Sequence, residues 1–193
     1  MMKPVAVIPR VAVLISGGGS NLAAIISAVE QNLLPIKLET VIADRDCAGK
    51  QHAFNAHISF QMIDRKLPDF AMRLNEALKE IDWIVLAGFL SVVPSALVER
   101  FPRKIINLHP SLLPKFGGMG MYGMRVHQAV LAAGESESGC TVHFVDNGVD
   151  TGEIIAQASV PVLADDVAET LAKRVQQQEH LLLVKTLQKL IAQ

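Results

Sequence analysis

The chain has 193 residues, with 18 Lys and Arg against 19 Asp and Glu and a formal net charge of −1. Half of its residues are hydrophobic, 19% are charged and 5% are aromatic. That much apolar content at so little net charge excludes a disordered tail. The near-neutral balance argues against a nucleic-acid partner, whose affinity rests on clustered cations.

A chain of this size buries roughly 70% of the surface its unfolded form exposes, and residues 1–193 are read as one domain. Two cysteines, Cys47 and Cys140, make no disulfide framework and point to reduced thiols and a cytoplasmic location. No apolar run reaches the ~20 residues of a membrane span. Met1 to Arg10 lacks the long apolar stretch of a secretory signal.

In chain order, Val11 to Ile15 is a buried-strand pattern that ends in Ser16, Gly17, Gly18 and Gly19. Ser20 reads as the N-cap of a helix through about Glu30, with Leu22, Ile25, Ile26 and Val29 on one face. Leu38 to Ala43 and Ser59 to Ile63 are the next strands, followed by a helix from about Phe70 to Ile81. Trp83 to Ala87 is a strand buried on both faces, Pro94 suits the first turn of a short helix, and Lys104 to Leu108 is a strand. Gly139 to Phe144 and Ile154 to Val162 are joined by too short a connection for a helical crossover, so they are read as antiparallel neighbours. A helix from about Val167 to Ile191 closes the chain.

Strands alternating with helices at this spacing predict an α/β protein. Its sheet is Rossmann-like and mixed, mostly parallel with helices on both faces, and its late strands are antiparallel. Ligands of such sheets sit beyond the carboxyl ends of the strands. That directs attention to Gly17–Asn21, Ala87–Val93 and Asn107–Pro114.

Gly17-Gly18-Gly19-Ser20-Asn21 joins a strand to a helix start, where free N–H groups and a partial positive charge suit an anion. A single phosphate is the natural guest, and a tight turn with a Ser cap is the plainer reading. The run meets only the first two glycines of G-x-G-x-x-G, because Leu22 replaces the third, although Asp44 stands where a ribose-binding acid would. A pyrophosphate therefore fits this loop less well than a monoester.

Alternation puts Asn107 and His109 on one side of their strand. An amide beside an imidazole suits acyl transfer, the amide holding a developing oxyanion and the imidazole moving a proton near neutral pH. A hydrogen-bonded structural histidine is the plainer reading. No Gly-x-Ser-x-Gly motif accompanies the pair, and Ser111 has no further support as a nucleophile. Histidines 52, 57, 109, 127, 143 and 180 form no H-x-x-x-H pair and no cluster with cysteine, so no metal is expected. Asp146 to Asp150 only faintly suggests a calcium loop and otherwise reads as a polar hairpin turn that could carry one carboxylate to a site.

Six stretches occur together in one order: Val13–Leu22, Leu86–Leu90, Ile106–Phe116, Gly139–Val145, Asp150-Thr-Gly and Arg174–His180. On these the chain resembles the glycinamide ribonucleotide formyltransferases, folate-dependent enzymes of purine biosynthesis with the formyltransferase fold. The resemblance implies that the primary amine of glycinamide ribonucleotide attacks the formyl carbon of 10-formyltetrahydrofolate, the co-substrate. It implies His109 as general acid toward the leaving folate nitrogen or the tetrahedral oxyanion, and Asn107 as oxyanion donor. Asp150 is implied as the partner that raises the pKa of His109 and relays a proton through water.

The resemblance further implies that Gly19, Ser20 and Asn21 hold the substrate phosphate and that Gln176 and Glu179 reach its sugar. Leu90, Ser91, Val92 and Val93 would line the pterin pocket largely through backbone groups, with Asn107 beside them. Asp146, Asn147, Gly148, Val149 and Asp150 would form the folate loop, and Lys66 is the nearest cation to where the family often places an Arg. Partners are then the two small-molecule substrates, with no nucleic acid and no membrane, in a monomer or homodimer. A formyltetrahydrofolate hydrolase or a transferase with another amine acceptor is the alternative on the same scaffold. A nucleotide-binding module without chemistry is a third, against which the joint presence of Asn107, His109 and Asp150 argues.

Three places depart from the family pattern. Ser91 stands where many members carry Arg, and Ala43-Asp44-Arg45 replaces the usual Ser/Asn-Asn pair. Phe116 to Val126, rich in Gly and Met, is longer than in short-loop members and reads as a flap over the cleft or as a floppy surface loop.

Overall fold

A computed structural model describes residues 8–192. The reading of Met1 to Arg10 therefore lies mostly outside the described residues. The first half alternates strand and helix: β1 (Arg10–Ile15), α1 (Ser20–Glu30), β2 (Lys37–Ala43), α2 (Lys50–Asn55), β3 (Ser59–Met62), α3 (Phe70–Ala77) and β4 (Trp83–Leu86). There follow α4 (Ser95–Arg100), β5 (Ile105–His109), α5 (Met124–Ala132), β6 (Glu137–Phe144), β7 (Ile154–Pro161) and α6 (Ala168–Ile191).

The strands form one sheet in the order β3-β2-β1-β4-β5-β6-β7. Pairings from β3 to β5 are parallel, and β6 and β7 join antiparallel, as the short connection between them requires. The order reverses between β1 and β4. There the loops leaving two adjacent strands diverge and open a crevice at their carboxyl ends.

Alternation along β1 feeds two cores. Val11, Val13 and Ile15 pack with Leu22, Ile25, Leu171, Val175 and Leu183 of α1 and α6. Ala12 and Leu14 face the opposite side, with Leu74, Leu78, Leu97 and Phe101. Each fully buried aliphatic side chain of this kind contributes about 1.5–3 kcal/mol of transfer free energy, so the sheet is held from both faces. The long α6 crosses behind β6 and β7 and also touches α1 and α5. It is thereby the strut that brings late residues to the early glycine loop.

The structure corrects four details. Gly19, not Ser20, is the N-cap of α1; it makes no side-chain cap bond and turns the chain at φ 74°. The helix expected over Phe70–Ile81 ends at Ala77. Beyond it the chain tightens into turns, with Lys79 N–H on the Glu76 carbonyl and Ile81 N–H on that of Leu78, which still bury Leu78 and Ile81. Two helices escape the sequence pattern, the six-residue α2 and α5. The stretch 116–126 is accordingly a loop only to Gly123, and Met124 to Val126 form the first turn of α5.

Candidate active site

The crevice encloses about 530 Å³. Gly17 and Asn21 line it, as do Leu90 to Val93 and the 118–123 loop. Asn107 and His109 line it from the carboxyl end of β5, while His143 comes from β6, whose antiparallel register sets it opposite Asn107. Asp150 arrives from the β6–β7 connection in the left-handed region, φ 56°.

These four side chains form one cluster. Asp150 Oδ2 stands 3.3 Å from His109 Nδ1 and accepts the Gly118 backbone N–H at 3.0 Å. Asn107 Nδ2 donates to Asp150 Oδ1 at 3.2 Å and faces His143 Nε2 at 3.1 Å. His143 Nδ1 lies 2.8 Å from the Phe144 carbonyl, which can only accept, so Nδ1 carries the proton and Nε2 offers its lone pair to Asn107. His109 Nε2 likewise donates to the Phe116 carbonyl at 2.8 Å.

Both nitrogens of His109 therefore face acceptors. The two residues that supply those acceptors, Phe116 and Asp150, both have a φ of 56°, uncommon for residues with a Cβ. Backbone strain of about 1–3 kcal/mol per such residue persists only where surrounding contacts over-determine it, and it gathers at functional sites.

Burial governs the proton balance. It pushes the His109 imidazole down, and the Asp150 charge and the Phe116 carbonyl oppose it without overcoming it, so His109 lies below its ordinary value. This corrects the expectation of a raised value: Asp150 pulls in the expected direction, but desolvation is larger. Burial alone would lift Asp150. The His109 side chain and the Gly118 N–H favour the ionised form, and the carboxyl is held below its usual range. Burial thus disfavours the imidazolium, while the Asp150 carboxylate and the Phe116 carbonyl, one at each ring nitrogen, favour it.

The loop after β5 is pinned from below. Thr141 Oγ1 donates to the Ser111 carbonyl at 2.7 Å and accepts from Leu113 N–H at 3.1 Å and Gln157 Nε2 at 2.9 Å. Ser111 is fully buried, and its hydroxyl donates to the Lys115 carbonyl at 2.6 Å, so it is not poised as a nucleophile.

At the glycine loop, Gly49 N–H donates to the Gly17 carbonyl at 3.0 Å, and a Cβ on Gly19 would stand 2.9 Å from Gly49 Cα. Two hydrogen bonds tie this loop to α6: Gln176 Nε2 to Ser20 Oγ at 2.9 Å, and Asn21 Nδ2 to Glu179 Oε2 at 3.0 Å. Burial raises the Glu179 carboxyl above its usual range, against the Asn21 bond. The expected phosphate and sugar residues thus adjoin, 156 and 158 positions apart in sequence.

Asp146, Gly148 and Val149 line the crevice with Leu90 to Val93. Asp146 Oδ1 closes its own turn by accepting from Gly148 N–H at 3.0 Å and Thr151 Oγ1 at 2.7 Å. Asn147 and Lys66 are exposed and, like Gly19 and Ser20, are not among the residues lining the crevice. The sequence reading missed two lining histidines, His143 and His127. The strand register set against Asn107 was the available signal for His143. For His127, buried on the unrecognised α5 with Nδ1 unpartnered, there was none.

A family model described as formyl transferase matches residues 9–187. The chain belongs to the formyl transferase family. It is 43% identical over 188 residues to the chloroplastic phosphoribosylglycinamide formyltransferase of Vigna unguiculata, covering 94% of this chain and 60% of that protein. It therefore spans about three fifths of that relative's length. With the phosphoribosylglycinamide formyltransferase of Haemophilus influenzae it shares 38% identity over 178 residues, 89% of this chain and 82% of the relative. The crystal structure of the phosphoribosylglycinamide formyltransferase of Brucella melitensis superposes with a TM-score of 0.88 at 39% identity, covering 97% of both chains. As a family member the chain has its cluster at the carboxyl end of β5, beside the antiparallel β6. No helix among the described residues is long and apolar enough to cross a membrane.

Proposed function

We propose that this protein transfers the formyl group of 10-formyltetrahydrofolate to the amine of glycinamide ribonucleotide, giving formylglycinamide ribonucleotide and tetrahydrofolate. The observation that carries this reading is the joining of Asn107, His109 and Asp150 within hydrogen-bond range in one crevice that also reaches the Gly17–Asn21 loop.

In this reading the ribonucleotide phosphate lies on the N–H groups opened by Gly19, Ser20 and Asn21. Gln176 and Glu179 meet the sugar. The folate ring lies along Leu90 to Val93 and the Asp146–Asp150 loop. The amine attacks the formyl carbon, and the carbonyl oxygen becomes an oxyanion that Asn107 Nδ2 receives. The His109 Nε2–H, held by the Phe116 carbonyl in the unliganded site, changes acceptor and protonates the leaving folate nitrogen as the C–N bond breaks. The attacking nitrogen gives up one proton through water to the Asp150–His109 pair, so one proton leaves the amine and one reaches the folate. Negative charge growing on the reacting centre favours the imidazolium and opposes the burial that lowers the His109 pKa. Positioning supplies the remainder, since holding amine and formyl group in contact contributes up to about 7–11 kcal/mol.

The same reading takes residues 1–193 as one catalytic domain, working as a monomer or homodimer in the cytoplasm. Its test is turnover of 10-formyltetrahydrofolate, followed by folate absorbance with and without glycinamide ribonucleotide. Amine-dependent turnover supports it, and equal turnover without the amine gives the reaction to a hydrolase.

A further inference from the structure

Ser91 and Asp44, 47 positions apart in sequence, touch each other. Asp44 ends beyond β2, is fully buried, and belongs to no part of the cluster around His109. Its Oδ2 accepts the Ser91 hydroxyl at 2.5 Å. Arg45 grips both oxygens, Nε to Oδ1 at 2.8 Å and Nη2 to Oδ2 at 2.7 Å. The Ser16 hydroxyl, which also favours the ionised Asp44, accepts the Leu90 backbone N–H at 2.8 Å. Ser16 N–H in turn donates to the Gly88 carbonyl at 3.0 Å. Burial alone would push the Asp44 carboxyl up, but the bonds from Arg45, Ser91 and Ser16 outweigh it and hold it below the usual carboxylate range.

One buried anion therefore holds the Gly88–Ser91 segment from behind, while its other side lines the crevice. Charge-assisted hydrogen bonds are short and roughly twice as strong as neutral ones, so a carboxylate fixes this backbone more firmly than an amide would. The Ser91 side chain is committed to Asp44, which leaves residue 91 only its backbone to offer a ligand.

We propose that Asp44 is a positioning residue for folate: it sets the backbone of 90–93 through the Ser91 hydroxyl, and Arg45 keeps it in place as an ion pair. Asp44 itself does not touch the ligand. This rests on the reading of 90–93 as the pterin wall.

The experiment measures tetrahydrofolate binding and the KM of both substrates in wild type, Asp44→Asn and Ser91→Ala, with thermal melts alongside. Asp44→Asn is expected to weaken folate binding roughly tenfold and Ser91→Ala about threefold. The KM for glycinamide ribonucleotide is expected to rise less than that for the folate, because the Ser91 side chain that Asp44 holds belongs to the 90–93 wall and makes no bond to the Gly19–Asn21 loop. Unchanged folate affinity in Ser91→Ala overturns the proposal. So does an equal rise in both KM values with a lowered melting point, which marks a general structural role. Should Asp44→Asn fail to fold, Ser91→Ala carries the test alone, since it keeps the Asp44–Arg45 pair. A wild-type protein that binds no tetrahydrofolate overturns the functional reading as well, and is thereby distinguished from failure of the clamp.

Discussion

His109 Nδ1 and Asp150 Oδ2 stand 3.3 Å apart, although they lie 41 positions apart in sequence and Asp150 takes a left-handed backbone conformation. Because the carboxylate is nine-tenths buried, its charge is poorly screened and acts chiefly on that imidazole. Replacing Asp150 by Asn keeps the shape and removes the charge. The expected outcome is a fall in kcat of about 10²–10³-fold with the KM values little changed, measured by steady-state formyl transfer. A loss below threefold would mean the pair is not part of the chemistry.

Asn107 gives its Nδ2 protons to Asp150 and His143 in the unliganded site. If one of them moves to the oxyanion, Asn107→Ala costs about 10²–10³-fold in kcat, as for other single oxyanion donors. Asn107→Asp, which replaces the donor by a second buried carboxylate, is expected to be at least as damaging. Comparable wild-type and Asn107→Ala rates would remove Asn107 from the mechanism.

Gly19→Ala tests the glycine loop. Its φ of 74° costs a residue with a Cβ about 1–2 kcal/mol, and the new methyl would meet Gly49 Cα at 2.9 Å. The melting point falls, and the KM for glycinamide ribonucleotide rises while that for the folate stays. Gly18→Ala is the control, because a Cβ there meets nothing within 4 Å.

Burial holds His109, His127 and His180 below their ordinary value. For these three groups the unfolded chain binds the additional protons as the pH falls, so their contribution to stability rises with pH, while Glu179, raised by burial, opposes it as the pH climbs from the ordinary carboxylate range. The contribution is complete above the unfolded value of about 6.5 and is lost as the pH drops through the lower folded values. Asp150, held below its usual range, acts with the same sign at still lower pH. Melts between pH 8 and 5 are expected to be level at first and then to decline below about pH 6.5, less steeply in His127→Gln. A melting point that rises on acidification would contradict this.

Most of the fold was legible because its signals are local. Apolar runs such as Val11–Ile15 and Trp83–Leu86, interrupted by amphipathic stretches, dictate a parallel sheet, and the short β6–β7 connection dictates the antiparallel end. Helix α5 was not legible, since the Gly and Met of the preceding loop mask the Val126 and Val130 spacing that buries it. In the site, Asn107 and His109 followed from strand alternation. The turn itself offered one carboxylate, Asp146 or Asp150, and only the resemblance chose Asp150, because no periodicity predicts where a turn aims a carboxylate. The net direction of the His109 shift depends on burial, a tertiary property, and the Asp44–Ser91 contact joins residues 47 positions apart.

The most direct measurement is single-turnover formyl transfer by wild type and His109→Ala at saturating amine and 10-formyltetrahydrofolate, with the affinity for each substrate determined separately. The account predicts that the chemical step falls by at least about 10²-fold while both affinities stay within about threefold. Equal single-turnover rates in the two proteins would contradict it.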